Sequence, residues 1–352
     1  MRRLILRTFF ALGCAAAAAT VRAQTSPPGR PRLERDQDAR DWRSYLSCAV
    51  MAESYKDARA CLYWAARLDP SRAEPLYAEW MLGEQKNDSV HREALMRDPF
   101  VYQARVATLG ERKYGVFSSP AARAWGALAA GNYFDAARNF DVVLAADSSA
   151  LDARWGAAIA QYYRRKLDSS AMHVRALDDA LRRKRERTLQ GVYTTFDFLG
   201  FMEGVAWLAG GRRDSARAAL ERAVGENVAF YPASMLLGDL ALERGDTATA
   251  DQLWAQAAEL QQSNGYVRGR YGQYLLRRRR FGDAEQELRA TLALEPHWVD
   301  AHWALARALD AQGGARVSDA TAAFREFLRR APAADSARRS AAAQRVGAAK
   351  AP

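Results

Sequence analysis

A 34-residue period constrains this chain more than any other feature. Gly204, Gly238 and Gly272 are spaced by 34 residues, and Ala306 follows at the same interval. Twelve residues after each glycine stand Ala216, Ala250 and Ala284, and four further on Leu220, Trp254 and Leu288. Three later come Ala223, Ala257 and Thr291, while Leu237, Tyr271 and Leu305 directly precede the small residue in their units. The last two units close on Leu294-Glu295-Pro296 and Ala331-Pro332, the final one after a two-residue insertion near Gly313-Gly314. Such self-similarity signals a stacked array, because one unit cannot bury its apolar stripe alone.

Within each unit apolar residues recur at i, i+3, i+4 and i+7 twice over, which predicts two amphipathic helices. A small residue in the first helix admits the alanine of the second at close range, where a large side chain would force the pair apart. Gly211, Gly245 and Gly282 mark the turns between helices. Asp214, Thr247 and Asp283 stand where the second helix begins and can cap its free amides.

These residues resemble the tetratricopeptide repeat (TPR) family. Leu237-Gly238…Ala250…Trp254…Ala257 carries its pattern most fully, and Tyr271-Gly272…Ala284…Leu288…Pro296 follows closely. The resemblance is strong over 197–332 and moderate over 39–185. Residues 39–72 place Trp42, Ala58, Leu62, Ala65 and Pro70 in register, and residues 117–150 place Gly131, Tyr133, Ala136 and Phe140. Residues 152–185 keep Trp155, Tyr162 and Ala171, and 73–116 reads as helical without fitting a unit. The resemblance implies an all-α, right-handed superhelical solenoid of antiparallel helix pairs. The expected organisation is divergent repeats over 39–196, regular repeats over 197–334, and a capping helix with a tail over 335–352.

Ahead of the repeats lies a leader. Arg2, Arg3 and Arg7 precede the apolar run Thr8–Ala19, and Val21-Arg22-Ala23 offers a cleavage site, so residues 1–23 read as a secretory signal peptide. Lipidation at Cys14 is the lesser reading, since the apolar run continues past it. Residues 24–38 read as a linker without a core of its own. Without a later apolar segment of about 18 residues, the expected product is exported, periplasmic or secreted. Composition adds little to this. Of the formal charge of +11, the first 23 residues supply four arginines and no acid, leaving 48 basic against 41 acidic residues in the rest. That surplus is too small to argue nucleic acid.

Cys48 and Cys61 remain beyond the leader, too few for a zinc site and not a C-x-x-C pair. In the 39–72 unit they fall at positions 10 and 23, on opposite helices. Antiparallel packing brings such positions together, so a disulfide is expected, with two free thiols as the alternative.

No metalloprotease, hydrolase, Walker or dinucleotide motif occurs, and neither a catalytic residue, a cofactor nor a metal is expected. Glu295, His297, Asp300 and His302 form the one polar cluster with a hint of chemistry. The two histidines are five residues apart, which does not align them on one helical face. His91 and His173 are isolated. Arg268, Arg270 and Arg277–Arg280, near Tyr266, Tyr271 and Tyr274, would suit a polyanion or a surface glycan; helix-end cations are the plainer reading. Arg182–Arg187 reads the same way.

In TPR proteins positions 2, 5, 9 and 12 of each first helix line a groove that binds peptides or helices. Here these include Phe198, Phe201, Val205, Met235, Asp239, Tyr266, Gln273, Trp303 and Arg307. The expectation is a non-catalytic scaffold of the cell envelope that docks a protein or peptide partner there. The family's carboxylate clamp is missing, because its lysine and asparagine positions hold Phe201, Val205, Met235, Asp239, Gly269 and Gln273.

Overall fold

The computed structural model describes residues 27–83, 88–101, 119–184 and 195–348. The expected leader with Cys14, the basic residues 185–187 and all of 102–116 lie outside these. Among the described residues the chain is an all-α solenoid of antiparallel helix pairs. The pairs are α1 (Trp42–Met51) with α2 (Tyr55–Leu68), and α3 (Glu74–Leu82) with α4 (Asp88–Arg97). Next come α5 (Pro120–Ala129) with α6 (Tyr133–Ala146), and α7 (Leu151–Tyr163) with α8 (Leu167–Lys184). The regular half holds α9 (Phe196–Ala209) with α10 (Arg213–Glu226), and α11 (Tyr231–Glu243) with α12 (Thr247–Leu260). It continues through α13 (Gly265–Arg277) with α14 (Phe281–Leu294), and α15 (Val299–Gln312) with α16 (Val317–Arg330). A last helix, α17 (Ser336–Ala348), packs on α16 and buries Ala342.

The repeat is written in the contacts. A Cβ on Gly204 would come within 2.7 Å of Leu220, one on Gly238 within 2.6 Å of Trp254, and one on Gly272 within 2.7 Å of Leu288. The same buried small position is Ala124, Ala158 and Ala306 in α5, α7 and α15. The divergent units α5–α6 and α7–α8 therefore obey the register too, and the fourth pair begins at Leu151 rather than at 152.

The turn between paired helices carries a left-handed residue at Gly131, Arg165, Gly211, Gly245 and Arg279. The 34-residue interval holds between these positions except where the longer α8 intervenes. Gly282 is not that turn: it lies inside α14, and Arg279 takes the strained conformation instead. Capping also differs from expectation. Asp246 accepts from the Thr249 amide and caps α12, whereas Asp214 and Asp283 sit in first turns and bind Arg217 and Arg280.

Stacking runs without interruption from α5 to α17, each second helix packing on the next first helix. The four N-terminal helices take another course. Their core, including Leu62, Ala94, Leu95 and Phe100, is continuous with that of the solenoid as far as Ala320. Phe100 stacks on Tyr162 at 3.9 Å, and Tyr163 donates to the Phe100 carbonyl at 2.8 Å. Cys48 and Cys61 are joined, with 5.9 Å between their α carbons, and tie α1 to α2. Residues 27–41 are not a free linker. They form a non-helical strap: Trp64 donates to the Pro28 carbonyl at 3.0 Å, Leu33 joins the Tyr45–Trp64 cluster, and Asp38 accepts from the Ala333 amide at 2.8 Å.

Candidate interaction face

The N-terminal unit meets the regular repeats at the starts of two first helices, α11 and α13, where Tyr231 and Tyr266 stand. Arg97 at the end of α4 is the central contact, its side chain only 5% exposed. The guanidinium lies 3.7 Å above the Tyr266 ring, donates to the Tyr231 hydroxyl at 3.0 Å and pairs with Glu93 at 2.6 Å. Asn264 donates to Glu93 at 3.2 Å, closing the ring of contacts. Burial pushes the Tyr231 hydroxyl well above its ordinary pKa, with the neighbouring Arg97 charge opposing. Tyr231 is thus held as a neutral acceptor for arginine.

Burial corrects the expected groove. Phe198, Phe201, Met235 and Tyr266 are 0, 3, 5 and 7% exposed, so they are core rather than open surface. Phe201 meets Phe230 edge-on at 5.6 Å, and Phe198 tilts against Trp155 at 6.0 Å. Tyr266 stacks on Trp298 beneath Arg97. Trp303 is half-buried against Phe324 and Phe327 of α16. One helical turn further along, Val205, Asp239 and Gln273 remain half-buried and Arg307 exposed. With them runs a ladder of Leu208, Leu242 and Leu276, one per unit at 34-residue intervals and each half-buried.

The polar cluster at 295–302 belongs to a second contact between the N-terminal unit and the repeats. Glu295 accepts from Arg67 of α2 at 2.7 Å, Asp300 binds Arg338 at 2.6 Å, and the His302 ring meets the Pro296 carbonyl at 3.0 Å. His297 lies edge-on to Trp64 at 5.4 Å. Each of these groups is therefore engaged in holding the chain together. Two buried carboxylates that spacing did not single out behave alike. Glu203, 2% exposed, receives Arg175 at 3.0 Å, Arg222 at 2.6 Å and the Trp207 indole. Glu285, 6% exposed, receives Arg316 at 2.8 Å and Arg289 at 2.9 Å. A buried acid with two arginines is fully paired and joins helices. Among the described residues no cluster of histidine, cysteine and carboxylate side chains is arranged to hold a metal.

The arginine-rich end of α13 is largely neutralised. Arg268 pairs with Glu287 at 3.0 Å, Arg277 with Asp239 at 2.5 Å, Arg278 with Asp251 at 3.1 Å and Arg280 with Asp283 at 2.7 Å. Tyr274 donates to the same Asp251.

No family model matches this chain, and no curated protein does. Solved structures do share similarity with it. MamA of strain AMB-1 is 19% identical with a TM-score of 0.38, over 51% of this chain and 91% of that one. The C-terminal part of a TPR repeat-containing protein from Cytophaga hutchinsonii is 15% identical with a TM-score of 0.48, over 59% and 77%. The Cut9–Hcn1 hetero-tetramer of the APC/C is 14% identical with a TM-score of 0.47, over 88% and 55%. The assignment as a TPR-type fold rests on the chain's own repeated contacts, Gly204–Leu220, Gly238–Trp254 and Gly272–Leu288.

Proposed function

We propose that this protein is an exported, non-catalytic interaction scaffold of the cell envelope, docking a partner helix or peptide on the less buried half of its inner face. The observation that supports this reading is the Leu208–Leu242–Leu276 ladder, flanked by Val205, Asp239, Gln273 and Arg307. Repeat geometry sets equal spacing between the three leucines, which matches the recurring anchors of an extended or helical ligand. The Arg97 contact supports it too, for the starts of α11 and α13 already accept a helix of this chain. Export rests on the leader at 1–23.

A polyanion or surface-glycan binder is the alternative, and the carboxylates paired with Arg268, Arg277, Arg278 and Arg280 weigh against it. The two readings separate in one experiment. Leu208, Leu242 and Leu276 are changed together to Ser, and Arg278 and Arg280 together to Glu, and partners are captured from the native envelope by crosslinking. The scaffold reading expects the serine variant to lose its crosslinks, with an unchanged helical signal and salt-insensitive capture in the wild type. Retained capture in that variant, beside loss in the glutamate variant and steep salt dependence, would favour the polyanion.

A further inference from the structure

The contact at His297 differs in character from the Arg97 contact, and the difference has a consequence. His297 faces the strap through Arg30, whose guanidinium lies 4.5 Å over the opposite partner, Trp64. It faces α2 through Trp64 and Arg67, α15 through His302, and α16 through Arg330. The carboxylates nearby are already engaged, Glu295 by Arg67 at 2.7 Å and Glu326 by Arg329 at 2.6 Å and Arg330 at 2.5 Å. A new positive charge here would stand in the field of three arginines, with Glu295 and Glu326 already paired.

We propose that this seam is an acid-sensitive latch, in which protonation of His297 releases the strap and α2 from the C-terminal repeats while α4 stays docked.

The neutral ring fits its site: it packs against an indole and accepts crowding by cations that a charged ring would not. Burial and the charges of Arg330, Arg30, His302 and Arg67 all hold His297 below the ordinary histidine value. His302 is held low as well, first by burial, although its contact with the Pro296 carbonyl opposes this. A depressed histidine favours the closed form fully above its ordinary pKa, and that support is lost as pH falls through it. The other seam responds in reverse. Asp98, which follows α4 and accepts from the Phe100 amide at 2.8 Å, is pushed up to about 6 by burial, with Glu74 adding to the effect. Acid therefore tightens the α4 corner while loosening α2. The two contacts are separated along the chain by α3, so one can part without the other.

Hydrogen exchange of the full chain at pH 7.5, 6.5 and 5.5, expressed as protection relative to intrinsic exchange, tests this. In the wild type, protection of 42–68 and 299–303 should fall on acidification by up to about tenfold per pH unit, the limit for one linked proton. Protection of 88–97 and of 247–260 should hold. His297→Gln, neutral at every pH, should remove most of the fall, and Arg330→Gln should move it to lower pH. Flat protection in the wild type, an equal fall in His297→Gln, or simultaneous loss in all four segments would overturn the proposal. So would a His297→Gln chain already unprotected at pH 7.5 over 42–68, since His297 would then act by packing alone.

Discussion

Gly238 lies so close beneath Trp254 that a Cβ there would stand 2.6 Å from the indole Cδ1. The ring is wholly buried and stacks on Tyr274 of the next unit at 5.2 Å, so it has nowhere to retreat. Gly238→Ala gains helix propensity of up to about 1 kcal/mol but overpacks this junction, and a net loss of about 1–2 kcal/mol is expected. Trp254→Ala should cost about 3–5 kcal/mol. Urea melts of both single variants and the double variant test it. Strict additivity of the two losses would show that the residues do not share one site.

Arg165 and Arg279 adopt φ of 62° and 59° where the equivalent residues are glycines. An L side chain pays about 1–2 kcal/mol in that conformation, partly offset by the greater unfolded freedom of glycine. Arg279→Gly and Arg165→Gly are each expected to stabilise by about 0.5–1 kcal/mol, read as a higher denaturation midpoint. A lower midpoint in both would mean that these arginines have uses that the turn does not reveal.

Arg97→Ala should be among the costlier changes in the N-terminal unit, at about 2–3 kcal/mol, because the buried guanidinium ties Tyr266, Tyr231 and Glu93 together and its loss leaves a gap between them. Arg97→Lys keeps the charge and loses the planar stacking on Tyr266, so an intermediate loss is expected. Limited proteolysis within 88–101 should report both variants before global melting does. Equal resistance in all three proteins would contradict the contact described for Arg97.

The elevated Asp98 sets a sign that can be measured. A carboxyl whose folded pKa lies at about 6 binds its proton more tightly folded than unfolded, where the ordinary value is about 3.9. Its contribution to stability therefore grows as pH falls through 6 and is complete below the ordinary carboxylate range. Asp98→Asn should flatten this rise, on the order of 2 kcal/mol between pH 7.5 and 4. Subtracting the variant's pH profile from the wild type's isolates the effect from that of the histidines, and parallel profiles would refute it.

Reduction of Cys48–Cys61, which are 13 residues apart, should lower stability by about 3 kcal/mol on the chain-entropy model. Cys48→Ser with Cys61→Ser should reproduce the loss and become insensitive to reductant. Alkylation and mass spectrometry of the purified protein reports the state of the thiols directly.

The helix pairs were legible because packing wrote them into residue size: a small residue at 204, 238 and 272 has a bulky partner sixteen residues later in each unit. The left-handed turn at Arg279 was not legible. Glycine is the usual marker of that conformation, and the nearby Gly282 drew the turn three residues too far. Half of the candidate face is not legible in the sequence for a different reason. Position within a first helix does orient Phe198, Phe201, Met235 and Tyr266 inward, but it says nothing of what lies over them. Arg97 and Tyr231 are 134 residues apart, and no periodicity links α4 to the tyrosines it meets. Val205, Asp239 and Gln273 stay half-buried and Arg307 exposed, as a face position would have them.

The strap-to-repeat contact also changes how such an array can come apart. A linear stack of repeats has two free ends, and each terminal unit can fray without consulting the rest. In this chain the Asp38 carboxylate grips the Ala333 amide and Arg67 grips Glu295, so start and finish guard one another. A load applied at either terminus would meet this clasp before any repeat peels. Until it yields, end-fraying is suppressed at both extremities together, and a modular spring behaves as a single cooperative body.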